Sequence, residues 1–355
     1  MTSNNSEGAI IYKEKPWDNN ANSVWLASTI NLARNIEKFK FPVKLDAERQ
    51  RQIIAALSKD LIEGGILSNP RLLNAEQMSP VQKDFLVEHF LSQQGFHQAH
   101  AGEAFLIEDR GEFLATFNVQ DHLHLQMIDC EGELESAWNR LVAIETNLGK
   151  KLHYAFSPKY GFLTSDFFNC GTGLIISVFL QVPALVHSNK IDDVLEQLVD
   201  DSLNITGIQG NPTEIIGDVI VAFNNYTLGV TEENIIASLR SFTTKILLEE
   251  HSARNKISHE DNAEIKDKVS RAFGILIHSY QIEAIEALNA ISLVKLGIEL
   301  GWLTGITVQE LNRLFFNCRH AHLLHHYQEK IKLEEISHKR AEFIHQSLKD
   351  VKQVI

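Results

Sequence analysis

Several short segments carry side chains able to do chemistry. In Ser28-Thr29-Ile30-Asn31-Leu32-Ala33-Arg34-Asn35, hydroxyl and amide groups follow a strand-like entry, Val24-Trp25-Leu26, and a single cation, Arg34, closes the run. Asn169-Cys170-Gly171-Thr172-Gly173 is a Gly-rich turn. Its backbone N–H groups could cradle an anion, and it reads equally well as a tight turn that the fold requires. Asp121 beside His122 has the makings of an acid–base pair, but neighbours on a strand point to opposite faces, which favours a structural role. Asp166 lies near Cys170, yet spacing places no base beside either. Cys318, His322 and His325 share one helical stripe, close to His320 and His326. A closed zinc site needs four ligands and no other is placed by spacing, so packed or solvated helix faces are the reading and no metal is expected.

These groups need elements to hold them. Ile53, Ile54, Leu57 and Leu61 recur at helical spacing within 46–62, and 81–92 reads as a second helix. Residues 104–108, 112–119 and 122–129 read as short strands of an antiparallel meander. Leu134, Trp138, Leu141, Ile144 and Leu148 form one helical stripe. The apolar run 173–185 is ambiguous between helix and strand because Pro183 interrupts it. Residues 194–204 read as helix, 214–224 as strand, and 231–250 as a long helix opened at Thr231. After the polar stretch 251–262 the pattern is helical to the end, with no strand beyond about 265. The expectation is an α+β fold: an antiparallel sheet flanked by helices, then an all-α C-terminal domain. Its parts are a flexible lead-in over 1–22, a catalytic-type domain over 23–255 and a helical domain over 262–355.

The chain has 355 residues and a net charge of −13, with 44% hydrophobic and 22% charged residues. That composition belongs to a globular protein with a large core. The negative charge argues against nucleic-acid and anionic-membrane partners, which need a basic footprint. Cys130, Cys170 and Cys318 are too few and scattered for a disulfide framework, which fits a reducing cytoplasm. No run approaches the roughly 20 apolar residues of a membrane span, and the N-terminus lacks the apolar core of a signal peptide.

Spaced segments resemble the phosphagen (guanidino) kinases, most closely the bacterial protein-arginine kinases. Ser28–Arg34 resembles S-R-x-R-x-x-R. Asn118-Val119-Gln120-Asp121-His122-Leu123-His124-Leu125-Gln126 resembles N-E-E-D-H-L-R-I-Q. Tyr154-Ala155-Phe156 through Ser165 resembles Y-A-F-x-x-K-Y-G-Y-L-T-S, and Asn169–Leu174 matches N-x-G-T-G-L. Gly207-Ile208-Gln209-Gly210 fits R-G-x-x-G-E, and Asn224–Gly229 fits S-N-Q-x-T-L-G. The C-terminal third resembles the kinases' helical domain. The resemblance implies the guanidino-kinase architecture, ATP–Mg²⁺ as cosubstrate, and dimerisation through the helical domain.

It also implies which residues should act, and there the chain departs from the pattern. Thr29, Asn31, His124, Ile175 and Thr206 stand where the family has phosphate-binding arginines, after Ser28. Gln120 and Asn211 stand for glutamates, and Asp166 for the active-site cysteine. One cation on a transferring phosphoryl group is worth about 10³–10⁵ in rate, and a histidine is mostly neutral at pH 7. Arg34, Gly171, Thr172 and Gly173 are the residual candidates for anion contact. The family's phosphoarginine motif R-D-x-R-R-A aligns with Ile336-Ser337-His338-Lys339-Arg340-Ala341, leaving Lys339 and Arg340 as its cations. The leading expectation is a catalytically inactive pseudokinase without cofactor. It would act as a homodimeric cytoplasmic scaffold or regulator for a protein partner, an active paralogue or a protein quality-control factor. The alternatives are an active ATP:guanidino phosphotransferase with a divergent site, and a nucleotide or phosphoarginine sensor without turnover.

Overall fold

Trp25–Arg34 forms one strand, β1, because ten residues run without Gly or Pro and alternate side chains find two different environments. The computed structural model describes residues 12, 14–92, 95–260, 262–328 and 330–354. Its other strands are β2 (Arg71–Asn74), β3 (Ala104–Ile107), β4 (Phe113–Phe117), β5 (Leu123–Asp129), β6 (Phe156–Ser157), β7 (Gly161–Phe162), β8 (Leu174–Gln181), β9 (Leu203–Gly207) and β10 (Val219–Asn224). Among the described residues, one eight-stranded sheet has the order β2-β3-β4-β5-β1-β8-β10-β9, with antiparallel pairing throughout. β6 and β7 make a separate hairpin.

Helices α1 (Ala47–Glu63), α2 (Pro80–His89), α3 (Leu134–Gly149), α4 (Pro183–His187), α5 (Ile191–Leu198) and α6 (Glu232–His259) accompany the sheet. Leu134, Leu141, Ile144 and Leu148 of α3 are buried, as are Ile235, Leu239, Phe242 and Ile246 of α6. These two helices cover one face of the sheet and are tied together by Arg240 and Glu135. The helical region follows: α7 (Ala263–His278), α8 (Ala284–Glu299), α9 (Val308–Asn317), α10 (His320–His326) and α11 (Ile336–Leu348). The α+β expectation therefore holds. No helix among the described residues is long and apolar enough to cross a membrane.

Several boundaries differ from the sequence reading. Residues 1–11 and 13 lie outside the described residues, but 14–22 are anchored rather than a flexible lead-in. Trp17 is fully buried and stacks on Phe316, with ring centroids 4.6 Å apart. Asn312 donates to the carbonyls of Asn20 and Asn22. The polar stretch after Glu250 continues α6 to His259 because Ala253 and Ile257 keep its buried stripe going. The ambiguous run resolves into β8 followed by α4, with Pro183 in the first helical turn, where its missing N–H costs nothing. The expected helix over 194–204 ends at Leu198, and β9 begins at Leu203. Two short strands, β11 (Leu303–Thr304) and β12 (Lys352–Gln353), pair late in the chain, where no strand was expected.

Candidate functional site

On the face of the sheet opposite α3 and α6, a cleft of about 290 Å³ opens over the centre of β1, β5, β8 and β10. Strand alternation decides its lining. Thr29, Asn31 and Ala33 face it from β1, Ile175 and Ser177 from β8, His124 from β5 and Phe223 from β10. The register sets Asn31 opposite Ile175 and Thr29 opposite Ser177. Asn31 donates to Thr29 Oγ1 at 3.3 Å, closing the two side chains on each other. Gln120, Asp121, Phe168, Asn169, Asn204, Asn224 and Asn225 complete the wall, with Leu91 and Ser92 after α2. Among the described residues that line the cleft there is no Lys or Arg. Burial pushes the His124 imidazole below its usual range, so it stays neutral near pH 7.

The alternation that sends Thr29 and Asn31 into the cleft sends Ser28 and Arg34 to the other face. Ser28 is fully buried and accepts from Trp25 Nε1 at 2.9 Å, so it is no part of the pocket. Arg34 is 3% exposed. Its Nε meets Glu145 of α3 at 2.8 Å, and one terminal nitrogen donates to the carbonyls of Ala33 and Thr172 at 2.9 Å. Its guanidinium also lies over the Phe162 ring, 3.5 Å from the centroid. Its Nε, one terminal nitrogen and its flat face are all engaged inside the fold. Arg34 is thus a clamp between sheet, α3 and the Gly-rich turn, and it does not reach the cleft.

The Gly-rich turn divides: Asn169 and Gly173 line the cleft, while Gly171 and Thr172 spend their N–H groups inside the fold. Gly171 N–H donates to Phe162 O and Thr172 N–H to Thr227 O, so neither points at an anion site. Gly171 has φ of 111°, and a Cβ there would collide with the Thr227 carbonyl. Glycine is required because two loops cross in contact. Asp166 turns its carboxylate back to cap the Phe167–Asn169 turn, accepting from Phe168 N at 3.0 Å. Asn211 is exposed in the turn after β9 and accepts from Thr213. Neither lines the cleft. Thr206 lies next along β9 from Asn204, with Oγ1 buried and unpartnered.

Asp121 and His122 are structural. Asn35 bridges them, donating to Asp121 Oδ1 at 2.6 Å and accepting from His122 N at 2.9 Å. His122 Nδ1 accepts from Ile36 N, so the proton sits on Nε2 and donates to Lys40 O. In the helical region, Arg340 is 1% exposed and donates to Cys318 O and Ile282 O. It is a core brace, not an anion ligand, while Lys339 pairs with Glu342. Cys318 is buried, His322 meets Glu88 at 3.3 Å and His325 stacks on Phe85. Sequence reasoning missed Phe168, Ser177, Asn204 and Phe223 as cleft residues. Alternation from Ile175 would have found Ser177, but the others needed the strand order.

A family described as ATP:guanido phosphotransferase, C-terminal catalytic domain, matches residues 51–253. The Protein-arginine kinase McsB C-terminal domain matches residues 262–354. The protein-arginine kinase of Chlamydia pneumoniae is 36% identical over 344 residues, 94% of both chains. That of Halothermothrix orenii is 34% identical over 319 residues, 90% of this chain and 91% of its own. Among solved structures, the duplicated taurocyamine kinase from Schistosoma mansoni with bound transition state analog components is similar with a TM-score of 0.55 at 25% identity, covering 66% of this chain and 34% of that one. Lombricine kinase shares the fold with a TM-score of 0.56 at 20% identity, covering 70% of this chain and 73% of its own.

Proposed function

The chain belongs to the ATP:guanido phosphotransferase family as a protein-arginine-kinase-like member, and from that premise we propose that it works without phosphotransfer, as a scaffold or regulator that binds another protein. One observation supports this most: the cleft over β1 and β8 has no Lys or Arg among its described lining residues. A triphosphate with its Mg²⁺ needs cations at the phosphate oxygens where charge develops. Hydroxyls, amides, a neutral imidazole and Ile175 offer none, so these residues do not fit ATP. The buried cation of the same strand, Arg34, is held by Glu145 on the far side of the sheet. Among the described residues no glutamate lines the cleft to take a guanidinium proton, and the Asp121 Oδ1 is already bound to Asn35 and Ser165 N. The protein partner, a homodimer through the helical region and a cytoplasmic setting belong to this same reading.

A second reading is favoured by the relatives. Proteins 36% and 34% identical over nine-tenths of the chain are called protein-arginine kinase. On that reading the chain is an active ATP:guanidino phosphotransferase whose phosphate contacts have moved to other residues. Radiolabelled ATP–Mg²⁺ with an arginine-containing protein separates the two. The non-catalytic reading expects no phosphoarginine, and no rise in thermal midpoint with ATP–Mg²⁺ or phosphoarginine. Phosphoarginine formation that Gln120→Ala abolishes would establish the second.

A further inference from the structure

Phe168 lines the cleft, and the loops around it leave further large apolar side chains uncovered. Phe167 and Phe168, in the turn beside it, are 65% and 82% exposed. Phe156 and Tyr160 of the β6–β7 hairpin, and Tyr226 and Leu228 of the loop after β10, are exposed too. These three segments are mutual neighbours. Thr227 Oγ1 donates to the carbonyls of Phe168 and Cys170. Phe162 of the hairpin pairs with Gly171 and meets Phe156 edge-on at 5.4 Å. At ~150–250 Å² per aromatic side chain, the exposed fractions of Phe167, Phe168 and Tyr226 amount to about 400 Å² of apolar surface, a patch of the size that is often functional. Phe168 also lines the cleft, where Leu91, Ile175 and Phe223 extend the apolar surface inward. The cleft's 290 Å³ lies at the lower end of the ~300–1,000 Å³ typical of binding pockets and has room for an inserted apolar side chain.

Charge selects among occupants. The same segments, with the 200–202 turn bonded to Asn225, carry Asp166, Asp200 and Asp201 against one cation, Lys159. A second copy would bring this acidic rim onto itself, in a chain of net charge −13. We propose that the aromatic rim and its cleft dock a segment of a partner protein that carries lysine or arginine flanks around an apolar anchor, the anchor entering between Phe168 and Phe223. The inference rests on the protein-binding reading above and names the partner's chemistry.

The test is fluorescence anisotropy of a labelled peptide with lysine flanks around a Phe-Leu-Phe centre and no arginine, titrated with the full chain. Saturable binding is expected. It should weaken about tenfold or more in the Phe167→Ser/Tyr226→Ser variant. It should also weaken with added salt, and vanish when the flanks are aspartate. Both substituted side chains are exposed, so an unchanged thermal midpoint verifies the fold of the variant. Absent binding, or binding that the variant retains, overturns the proposal. So does sedimentation showing a dimer that the variant dissociates. The phosphotransfer assay on the same preparation keeps the two readings apart: turnover with peptide binding intact removes only the non-catalytic reading, and no turnover with no binding removes only the docking site.

Discussion

Arg34 shows how one charged side chain of a motif can serve the frame of the fold. Its guanidinium is paired with Glu145 and with two carbonyls, nearly out of reach of water. Arg34→Ala leaves the Glu145 carboxylate without its ion pair, and breaking such a pair costs about 3–5 kcal/mol. A loss of unfolding free energy of that size is expected in urea titration, with no change in any response to ATP. Thr29 and Asn31 pose the converse case, since both face the cleft and neither is charged. Thr29→Arg with Asn31→Arg returns two guanidinium groups to the phosphate side. ATP–Mg²⁺ is expected to raise the thermal midpoint of this double variant and leave that of the natural chain unmoved. Equal shifts in both proteins would show that the natural cleft already binds nucleotide.

At the scale of elements, the junction of α2, α10 and the segment around Trp17 is built from aromatic and imidazole rings. His89 and His322 lie with ring centroids 5.7 Å apart, and Trp17 stands edge-on to His322 at 5.1 Å. Glu88 Oε2 accepts from Ala321 N, His322 N and His322 Nδ1, which caps the start of α10. Burial holds His89 well below the usual histidine range and pulls His322 down to about 4. Both are therefore neutral in the fold, while the unfolded chain takes up their protons below about pH 6.5. Stability from these groups is complete above that pH and falls as pH drops from about 6.5 toward 4. The urea midpoint is expected to fall between pH 7 and pH 5. His322→Asn, which keeps a donor toward Glu88 but does not titrate, should make that slope shallower. An unchanged slope would place the acid sensitivity elsewhere.

At the scale of the molecule, sheet and helical region share one core. A single cluster of buried residues runs from Trp17 to Val351. Lys295 of α8 donates to Gln181 at the end of β8 and to Asn312 of α9, and Asn289 accepts from Gly217 N at 2.6 Å. Glu250 of α6 caps α4 through Ala184 N and Leu185 N, and Arg254 joins it to Glu299 of α8. A chain ending at Glu260 would leave Gln181, Trp17 and Asn289's partner Gly217 facing water. It is expected to be insoluble or unfolded. The full chain should unfold in one urea transition, with circular dichroism and tryptophan fluorescence coincident. Two separated transitions would show that the regions fold independently.

The sequence by itself determined the local grammar. Gly171 and Gly173 declare a turn because their positive φ values suit no other residue as well. The stripe Leu134, Leu141, Ile144 and Leu148 declares a helix because its spacing matches the turn of one. The family was legible for the same reason, since spaced backbone requirements survive while side chains change. The uncharged side chains of Thr29, Asn31, Ile175 and Thr206 could also be read residue by residue. Only the tertiary structure decided where the remaining groups point. Asp166 and Asn211 belong to their own turns, and Arg34 and Arg340 belong to buried frameworks. Exposure of Phe167, Phe168, Tyr226 and Phe156 on neighbouring loops was invisible in a linear reading, because each residue alone resembles core. Which face a strand presents, and which loops meet above it, depends on register and strand order across residues far apart in the chain, and no local pattern encodes either.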